Sequence, residues 1–343
     1  MSQRQTSGAN SVNYQVAGDL HSGLSYRDVK EIADDVFRQN FPHLAAEAAS
    51  TAEARAQEIC EKFLDKLAEE SPESLKNARN PDFQRALFRV QEEFATTGDE
   101  DLGDLLVDIL VDRSQQPGGS FRQVVLNEAL KTAPRLTGRQ VSALGAIFLA
   151  RYVHLNARSI THLHELLRAV WLPVIKGIPL LSDANIGHIA YAGCGSVSAG
   201  MVPFTRLFLQ RYPGLFAQGF EEGQFSWASE LKENGIVIPC WRDDTKLQLA
   251  AVNLTELQGK LSAIGRSEDV EEIKLALDGN PIPAEAIHAE LESIDPAFKV
   301  FAETWEKSDM KSFDLTSVGI AIAHAHCRKL LGSTMPAVDI WLS

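Results

Sequence analysis

The helical spacing of apolar residues through the first half of the chain constrains the fold most. From residue 25 to about residue 155, apolar side chains recur three and four positions apart, which is the period of an α-helix that packs by one face. Each run is preceded or opened by a residue that commonly begins helices: Ser25, Pro81, Asp99 or Glu100, Ser120 and Thr137. An all-α domain over residues 25–180 is therefore predicted.

The longest run, from Pro42 to about Glu70, contains no glycine and no internal proline. Its small and apolar residues follow steps of three and four and form a seam suited to close helix packing: Ala45, Ala48, Ala52, Ala56, Ile59, Phe63 and Leu67. The partner of this seam is either another helix of the same chain or the same helix of a second copy. In the second case, self-association would use Ala45, Ala52, Ile59 and Phe63.

Residues 1–24, here called the leader, are rich in Ser, Gly, Asn and Gln. Alone they bury too little apolar surface to offset chain entropy. Val12, Tyr14 and Val16 alternate with Asn and Gln, which is the period-two pattern of a short strand. Three interpretations stay open: a flexible tail, a strand docked on its own domain, and self-pairing with the same segment of another copy, in which Asn and Gln side chains would ladder.

The composition changes after Leu180, and strand patterns join the helical ones. HIAYA (188–192) and GIVIPCW (235–241) read as strand-like, and helices are predicted at about 254–264, 268–277 and 283–294. Near the end, FDLTSVG predicts a strand and a cap at Thr316, followed by a helix that stops at Gly332 and a last strand in AVDIWL. The predicted fold is mainly α, with an α+β region over residues 181–343 that holds a small sheet.

The charge balance argues against two classes of partner. With 46 acidic and 33 basic residues, the formal net charge of −13 repels the phosphates of nucleic acids and of anionic membranes. No stretch approaches the roughly 20 apolar residues that span a bilayer. The four cysteines lie far apart without a C-x-x-C pair, which favours a reducing cytoplasm. The chain thus predicts neither nucleic-acid nor membrane binding, and no cofactor is predicted.

Cys194 is the candidate nucleophile. It lies in the sequence Gly193-Cys194-Gly195, where a following helix N-terminus and a base such as His188 could activate a thiolate. The same glycines resemble a dinucleotide-binding loop, although Ser198 stands where a third glycine or alanine is expected and no βαβ alternation surrounds them. The alternative interpretation is a packing turn built from small residues.

Two groups of residues could hold a metal ion. Asp104, Asp108 and Asp112 share one helix face with Asp101, and would hold Mg²⁺ if a second acidic helix faced them. Otherwise the face is solvated, or a basic surface relieves its repulsion. The histidine groups are His162 with His164, and His324 with His326 and Cys327; within them His324 and Cys327 have the better helical spacing, and the alternative is partly buried or capping side chains.

The segments ANSVNYQVAGDLHSGLSYRDVKEIADDVF, DEDLGDLLVDILVDR, HIAYAGCGS and LTSVGIAIAHA resemble an uncharacterised family of bacterial proteins nearly end to end. The leader segment NYQVAGD (13–19), which precedes the GLSY-x-D-V helix, is similar to N-x-x-Q-x-x-G-D segments that precede helical modules in bacterial signalling and defence proteins, with one residue fewer between Asn13 and Gln15. The order PDFQRALFRVQEEFA, DEDLGDLLVDILVDR, LTGRQVSALGAIF more distantly resembles helical proteins of the abortive-infection alpha type. That resemblance implies a link to phage resistance, and it carries over no catalytic residue.

Two hypotheses follow. The first is a non-enzymatic assembly or adaptor protein, in bacterial defence or stress signalling, that forms homo-oligomers through the leader and the 42–70 helix and meets a protein partner. The second is a hydrolase or transferase that uses Cys194 or the face of Asp104, Asp108 and Asp112.

Overall fold

The computed structural model describes residues 26–40, 46–176, 178 and 181–342. Within these ranges the fold is mainly α, with two small antiparallel sheets of two strands each. The predicted fold class is confirmed. No helix in these ranges is both long enough and apolar enough to cross a membrane.

Six helices form the first half: α1 (Tyr26–Asn40), α2 (Ala46–Glu70), α3 (Pro81–Thr97), α4 (Glu100–Ser114), α5 (Phe121–Thr132) and α6 (Gly138–Tyr152). Polar side chains cap the starts of α4, α5 and α6, because Asp99, Ser120 and Thr137 each accept a hydrogen bond from the backbone amide three residues later. The helix starts predicted from the sequence are confirmed for these elements.

The next helices are α7 (Ile160–Leu166), α8 (Leu172–Ile175), α9 (Asp183–Tyr191), α10 (Phe204–Arg211), α11 (Ala228–Glu233), α12 (Leu254–Ala263), α13 (Val270–Asp278), α14 (Ala284–Ile294), α15 (Ala297–Lys307) and α16 (Ser317–Leu331). A π-helical turn, Leu167–Trp171, joins α7 to α8. Strand β1 (Gly195–Val197) pairs with β4 (Phe313–Leu315), and β2 (Val237–Pro239) pairs with β3 (Leu247–Leu249). The strand predicted in GIVIPCW is therefore β2, and that in FDLTSVG is β4.

One large hydrophobic core crosses the boundary predicted at residue 180. It extends from Val29 in α1 to Leu342 near the end of the chain, and α16 packs in it against α4, α5 and α6. A second, smaller core lies between Phe220 and Leu277. Residue 180 is thus not a boundary between cores, since the last helix completes the helical domain formed by the first half.

The turn Gly193-Cys194-Gly195 joins α9 to β1 and lies against the start of α16. Thr316 caps α16 and also holds this turn: its amide donates to the Cys194 carbonyl at 3.0 Å, and its hydroxyl donates to the Gly193 carbonyl at 2.7 Å. A Cβ at Gly319 would overlap the Cys194 carbonyl oxygen. The small residues in both segments therefore permit close packing of backbone on backbone.

Two predicted strands are wrong. The first four residues of HIAYA belong to helix α9 and Ala192 caps its end; Ile186 and Ile189, three residues apart, are both fully buried on one helical face. AVDIWL forms a 3₁₀ turn at Val338–Ile340, where the guanidinium of Arg122 binds the carbonyls of Asp339 and Leu342. A side chain thus supplies the hydrogen bonds that a neighbouring strand would have given.

The close packing at α16 predicts opposite effects for two glycine substitutions. Gly319→Ala should destabilise the protein by about 1–3 kcal/mol, because the added methyl forces the Cys194 turn away from α16. Gly187→Ala, in the exposed part of α9 where a Cβ meets no atom within 4 Å, should stabilise it by up to about 1 kcal/mol. Urea denaturation of both variants measures the difference, and equal effects would contradict this account of the turn.

Candidate functional site

The acidic face of α4 is matched by basic side chains from two other helices. Lys329 of α16 lies 2.7 Å from Asp101 and 3.0 Å from Asp104. Arg328 lies 3.0 Å from Asp108 and 2.7 Å from Asp112, and Lys66 of α2 also binds Asp108. The repulsion along α4 is therefore relieved within the chain, by the basic surface that was one of the alternatives.

We call Asp101, Asp104, Asp108 and Asp112 of α4 the ladder. Its inner half, Asp108 and Asp112, is buried. The side chains of Asp108 and Asp112 are 2% and 8% exposed, so the expectation of a solvated face is wrong for both. Burial raises the pKa of Asp112 to about 6, against the attraction of Arg328. The pair of carboxylates is tolerated because Arg328 and Lys66 supply two positive charges at the same place.

Basic side chains pair with the aspartates that were considered as metal ligands. Ammonium and guanidinium groups bind Asp104, Asp108 and Asp112, and the described ranges contain no group of three or more His, Cys, Asp or Glu side chains placed to hold an ion. The metal interpretation of these three aspartates thus finds no support in the geometry.

His324 lies next to the buried end of the ladder. Its ring is fully buried, its Nε2 donates to the Pro336 carbonyl at 2.7 Å, and its Nδ1 lies 3.8 Å from an Asp112 oxygen. Burial lowers the pKa of His324 to about 4, so the ring is neutral near pH 7. Cys327 points elsewhere, since its thiol donates to the Gly145 carbonyl. His324 and Cys327 therefore do not form a metal-ligand pair.

The other histidine pair is divided between two environments. His164 Nε2 lies 2.7 Å from Glu290, which Arg242 also binds through two nitrogens at 2.8 and 3.1 Å. His162 accepts a hydrogen bond from the Arg158 amide at 3.3 Å. His164 is thus part of a brace between α7, α14 and the segment after β2, and it shares no ligand position with His162.

Cys194 is poorly placed for nucleophilic attack. Its side chain is fully buried, and burial raises the pKa of the thiol to about 11, so the thiolate is disfavoured. His188, the base considered for it, lies within hydrogen-bond distance of the Gln140 side chain at 3.0 Å. Cys194 lies against the start of α16, and Arg328 lies in its last turn. Since α16 is about 20 Å long at 1.5 Å per residue, the two candidate sites are separate.

The predicted self-association residues fall into two groups. Val12, Tyr14, Val16 and Ala45 lie outside the described residues. Ala52, Ile59 and Phe63 are 4%, 0% and 0% exposed, because α1 and α3 pack on α2. These three side chains are covered by their own chain and offer no surface to a second copy.

A cavity of about 440 Å³ opens beside the outer end of the ladder, where α4, α6 and α16 meet. We call it the α4–α6–α16 cavity. It is lined by Thr97, Asp99, Asp101, Leu102, Leu105, Pro134, Leu136, Gly138, Val141, Ser142, His326, Lys329 and Leu330. Its size is within the range of small-molecule sites.

Sequence reasoning did not find the partners of the ladder on α16, which are more than 200 residues away along the chain. One signal pointed to them: His324 and Arg328 are four residues apart in the predicted last helix and so share a face. Two adjacent basic residues on α16 do not by themselves specify a partner, so their pairing with the acidic face of α4 required the tertiary fold.

Residues 23–342 match the model of a protein family without a described function, and the chain belongs to that family. This confirms the expected membership in an uncharacterised family that covers almost the whole chain. No curated protein and no solved structure matches the chain at a significant level.

The buried ladder predicts an unusual pH dependence for one substitution. Because the folded pKa of Asp112 is about 6 and the ordinary value is 3.8, the folded chain retains a proton there that the unfolded chain releases. Asp112 therefore contributes stability at low pH that is lost as pH rises from about 4 to 6. Asp112→Asn removes this loss and should gain about 1–3 kcal/mol relative to the wild type between pH 4.5 and pH 7.5.

Urea denaturation at both pH values measures this gain. His324 changes stability in the opposite direction over the same pH range in both proteins, so the measured quantity is the difference between wild type and variant at each pH. The exposed Asp183→Asn is the control and should show no such gain. A difference between wild type and Asp112→Asn that stays constant with pH would contradict the account.

Proposed function

We propose that this protein is a non-enzymatic adaptor that associates with further copies of itself, with the leader of one copy pairing with strand β1 of the next. The observation that carries the proposal is the exposed outer edge of β1. The two groups considered for catalysis favour this choice over a hydrolase or transferase, since Cys194 is buried and the aspartates of α4 are ion-paired.

The hydrogen bonding of β1 leaves one edge open. Thr316 donates to the Cys194 carbonyl, and Ser198 donates to the Ser312 carbonyl at 2.7 Å, so the residues at 194 and 198 face β4. In an antiparallel pair, the backbone groups of successive residues alternate between the partner strand and the opposite side. Val197, next to Ser198, therefore directs its N–H and C=O away from β4. Outside the strand pair, no backbone hydrogen bond in the described part of the chain engages these two groups of Val197.

Exposed apolar side chains lie on β1 and in the segments that precede and follow it. Val197 is 50% exposed, and Tyr191 and Met201, which precede and follow β1, are 79% and 66% exposed. Apolar side chains beside an unpaired strand edge are typical of surfaces that accept an added strand. The edge therefore suits a short, β-prone segment with apolar residues at alternate positions.

Residues 11–16 of the leader have that pattern, with Val12, Tyr14 and Val16 on one side. About ten residues separate Val16 from the start of α1, enough to span at most about 35 Å, which allows a link between neighbouring molecules. A leader that pairs with a different surface of the next copy makes a head-to-tail contact, which produces a ring or a filament.

The assembly is tested by measuring absolute mass with light scattering after size exclusion, for the full chain, for a chain that lacks residues 1–24, and for Val197→Lys. The full chain should be oligomeric, and both changes should shift it toward monomer, because lysine on an edge strand opposes pairing. Val300→Lys is the matched control: Val300 is 55% exposed on α15, and its substitution should leave the mass unchanged.

Three other outcomes are informative. A monomeric full chain would contradict self-association. Dissociation on truncation without an effect of Val197→Lys would contradict the contact with β1 and favour direct pairing of one leader with another. Loss of assembly in Val300→Lys would show that the effect is not specific to the edge.

For the cellular setting we propose antiviral defence, supported by the resemblance to abortive-infection alpha type proteins. Cells that express the full chain should reduce plaque formation by at least part of a phage panel, and expression without residues 1–24 should not. Equal plaque numbers with and without the protein across the panel would contradict this setting.

A further inference from the structure

We propose that the α4–α6–α16 cavity binds a small amphiphilic amine, with the apolar body on its leucine floor and the ammonium group at its acidic mouth. This binding site is independent of the assembly proposed above. The inference rests on the shape, charge and hydrogen-bonding capacity of the lining residues.

The floor of the cavity is apolar. Leu105, Leu136 and Val141 are at most 9% exposed and present their side chains between α4, α6 and the turn before α6, while Leu330 at the rim is 41% exposed. Each methylene group of an alkyl chain buried there would tighten binding about fourfold. The floor therefore selects for an apolar body of modest size.

The mouth of the cavity is negatively charged. Asp99 and Asp101 line it, Lys329 is the positively charged side chain of the lining, and Asp104 lies 3.0 Å from Lys329. Three carboxylates and one ammonium leave two formal negative charges. Since the Asp101 side chain is 94% exposed, it is accessible to a ligand, and the local charge opposes carboxylate and phosphate groups.

His326 adds a hydrogen-bond acceptor inside the cavity. Burial lowers its pKa to about 4, so the ring is neutral near pH 7 and one nitrogen has a free lone pair. No hydrogen bond to this ring occurs within the ranges that the structure describes. A protonated amine can donate to the ring and pair with Asp101 at once, which an anionic or purely apolar ligand cannot do.

Gly145 on α6 supports the position of this ring. A Cβ at Gly145 would lie 2.7 Å from His326 Cδ2, so any other residue there would push the imidazole away. Glycine inside a helix is less favourable than alanine, because it loses more backbone freedom on folding. Its presence in the middle of α6 is explained by the space that His326 requires.

The test uses the full chain and two probes of equal length and opposite charge, hexylamine and hexanoate, in titrations followed by NMR at pH 7. Hexylamine should bind at least about tenfold more tightly than hexanoate, because the mouth attracts one head group and repels the other. Hexanoate that binds as tightly as hexylamine would overturn the proposal.

Four variants locate the binding. Asp101→Asn should weaken hexylamine binding roughly threefold to tenfold, and the exposed Glu165→Gln on α7 should not change it. Ser142→Phe should fill the cavity and abolish binding, whereas Gly138→Ala, another lining position where a Cβ meets no atom within 4 Å, should preserve it. Thermal melts establish that each variant is folded. Unchanged hexylamine binding by a folded Ser142→Phe would show that the amine binds elsewhere.

Discussion

The burial of Asp108 is the constraint on which the arrangement of the long helices depends. A carboxylate that is 2% exposed is costly unless positive charge lies beside it, and Lys66 and Arg328 provide that charge. The first comes from α2 and the second from α16, so three helices far apart in sequence must meet at one point. Without Arg328, Lys66 would be the one positive charge beside the buried carboxylates of Asp108 and Asp112. For this reason α16 packs with the first six helices.

The end of the chain follows from the position of α16. His324, one turn before Arg328, donates to the Pro336 carbonyl and so turns the last residues back onto the helix. Trp341 then donates from its indole to the Tyr152 carbonyl at 3.0 Å, and Arg122 binds the carbonyl of Leu342.

The smaller core between Phe220 and Leu277 is attached differently, beside the brace of Arg242, Glu290 and His164. Burial alone would raise the pKa of Glu290, but hydrogen bonds from Arg242 and His164 make the net change a decrease, so the carboxylate stays ionised.

The sequence could predict what is local. Helix starts at Asp99, Ser120 and Thr137 depend on one side chain and the amide three residues on, so they are visible without a fold. The strand in GIVIPCW was likewise marked by its own residues. The residues of HIAYA did not identify its structure, because five residues of mixed size fit both the period of a helix and that of a strand. Only the burial of Ile186 and Ile189 distinguishes the two. The cavity and the partners of the ladder on α16 could not be predicted, since they join α4 to a helix more than 200 residues later.

The aspartates of the ladder on α4 differ in their role: the buried ones hold helices together, and the exposed ones are accessible to a ligand. From Asp101 to Asp112 the exposed fraction of the side chain falls from 94% through 43% to 2% and 8%. An ion pair in solvent, such as Asp101 with Lys329, contributes little to stability and exchanges partners at small cost, whereas the buried pairs with Arg328 cannot be broken without exposing an uncompensated charge. The outer half can therefore change its partner while the inner half keeps α4 and α16 together. A ligand that competes with Lys329 for Asp101 would thus act on the part of the ladder whose loss the fold tolerates, and this is the part that borders the α4–α6–α16 cavity.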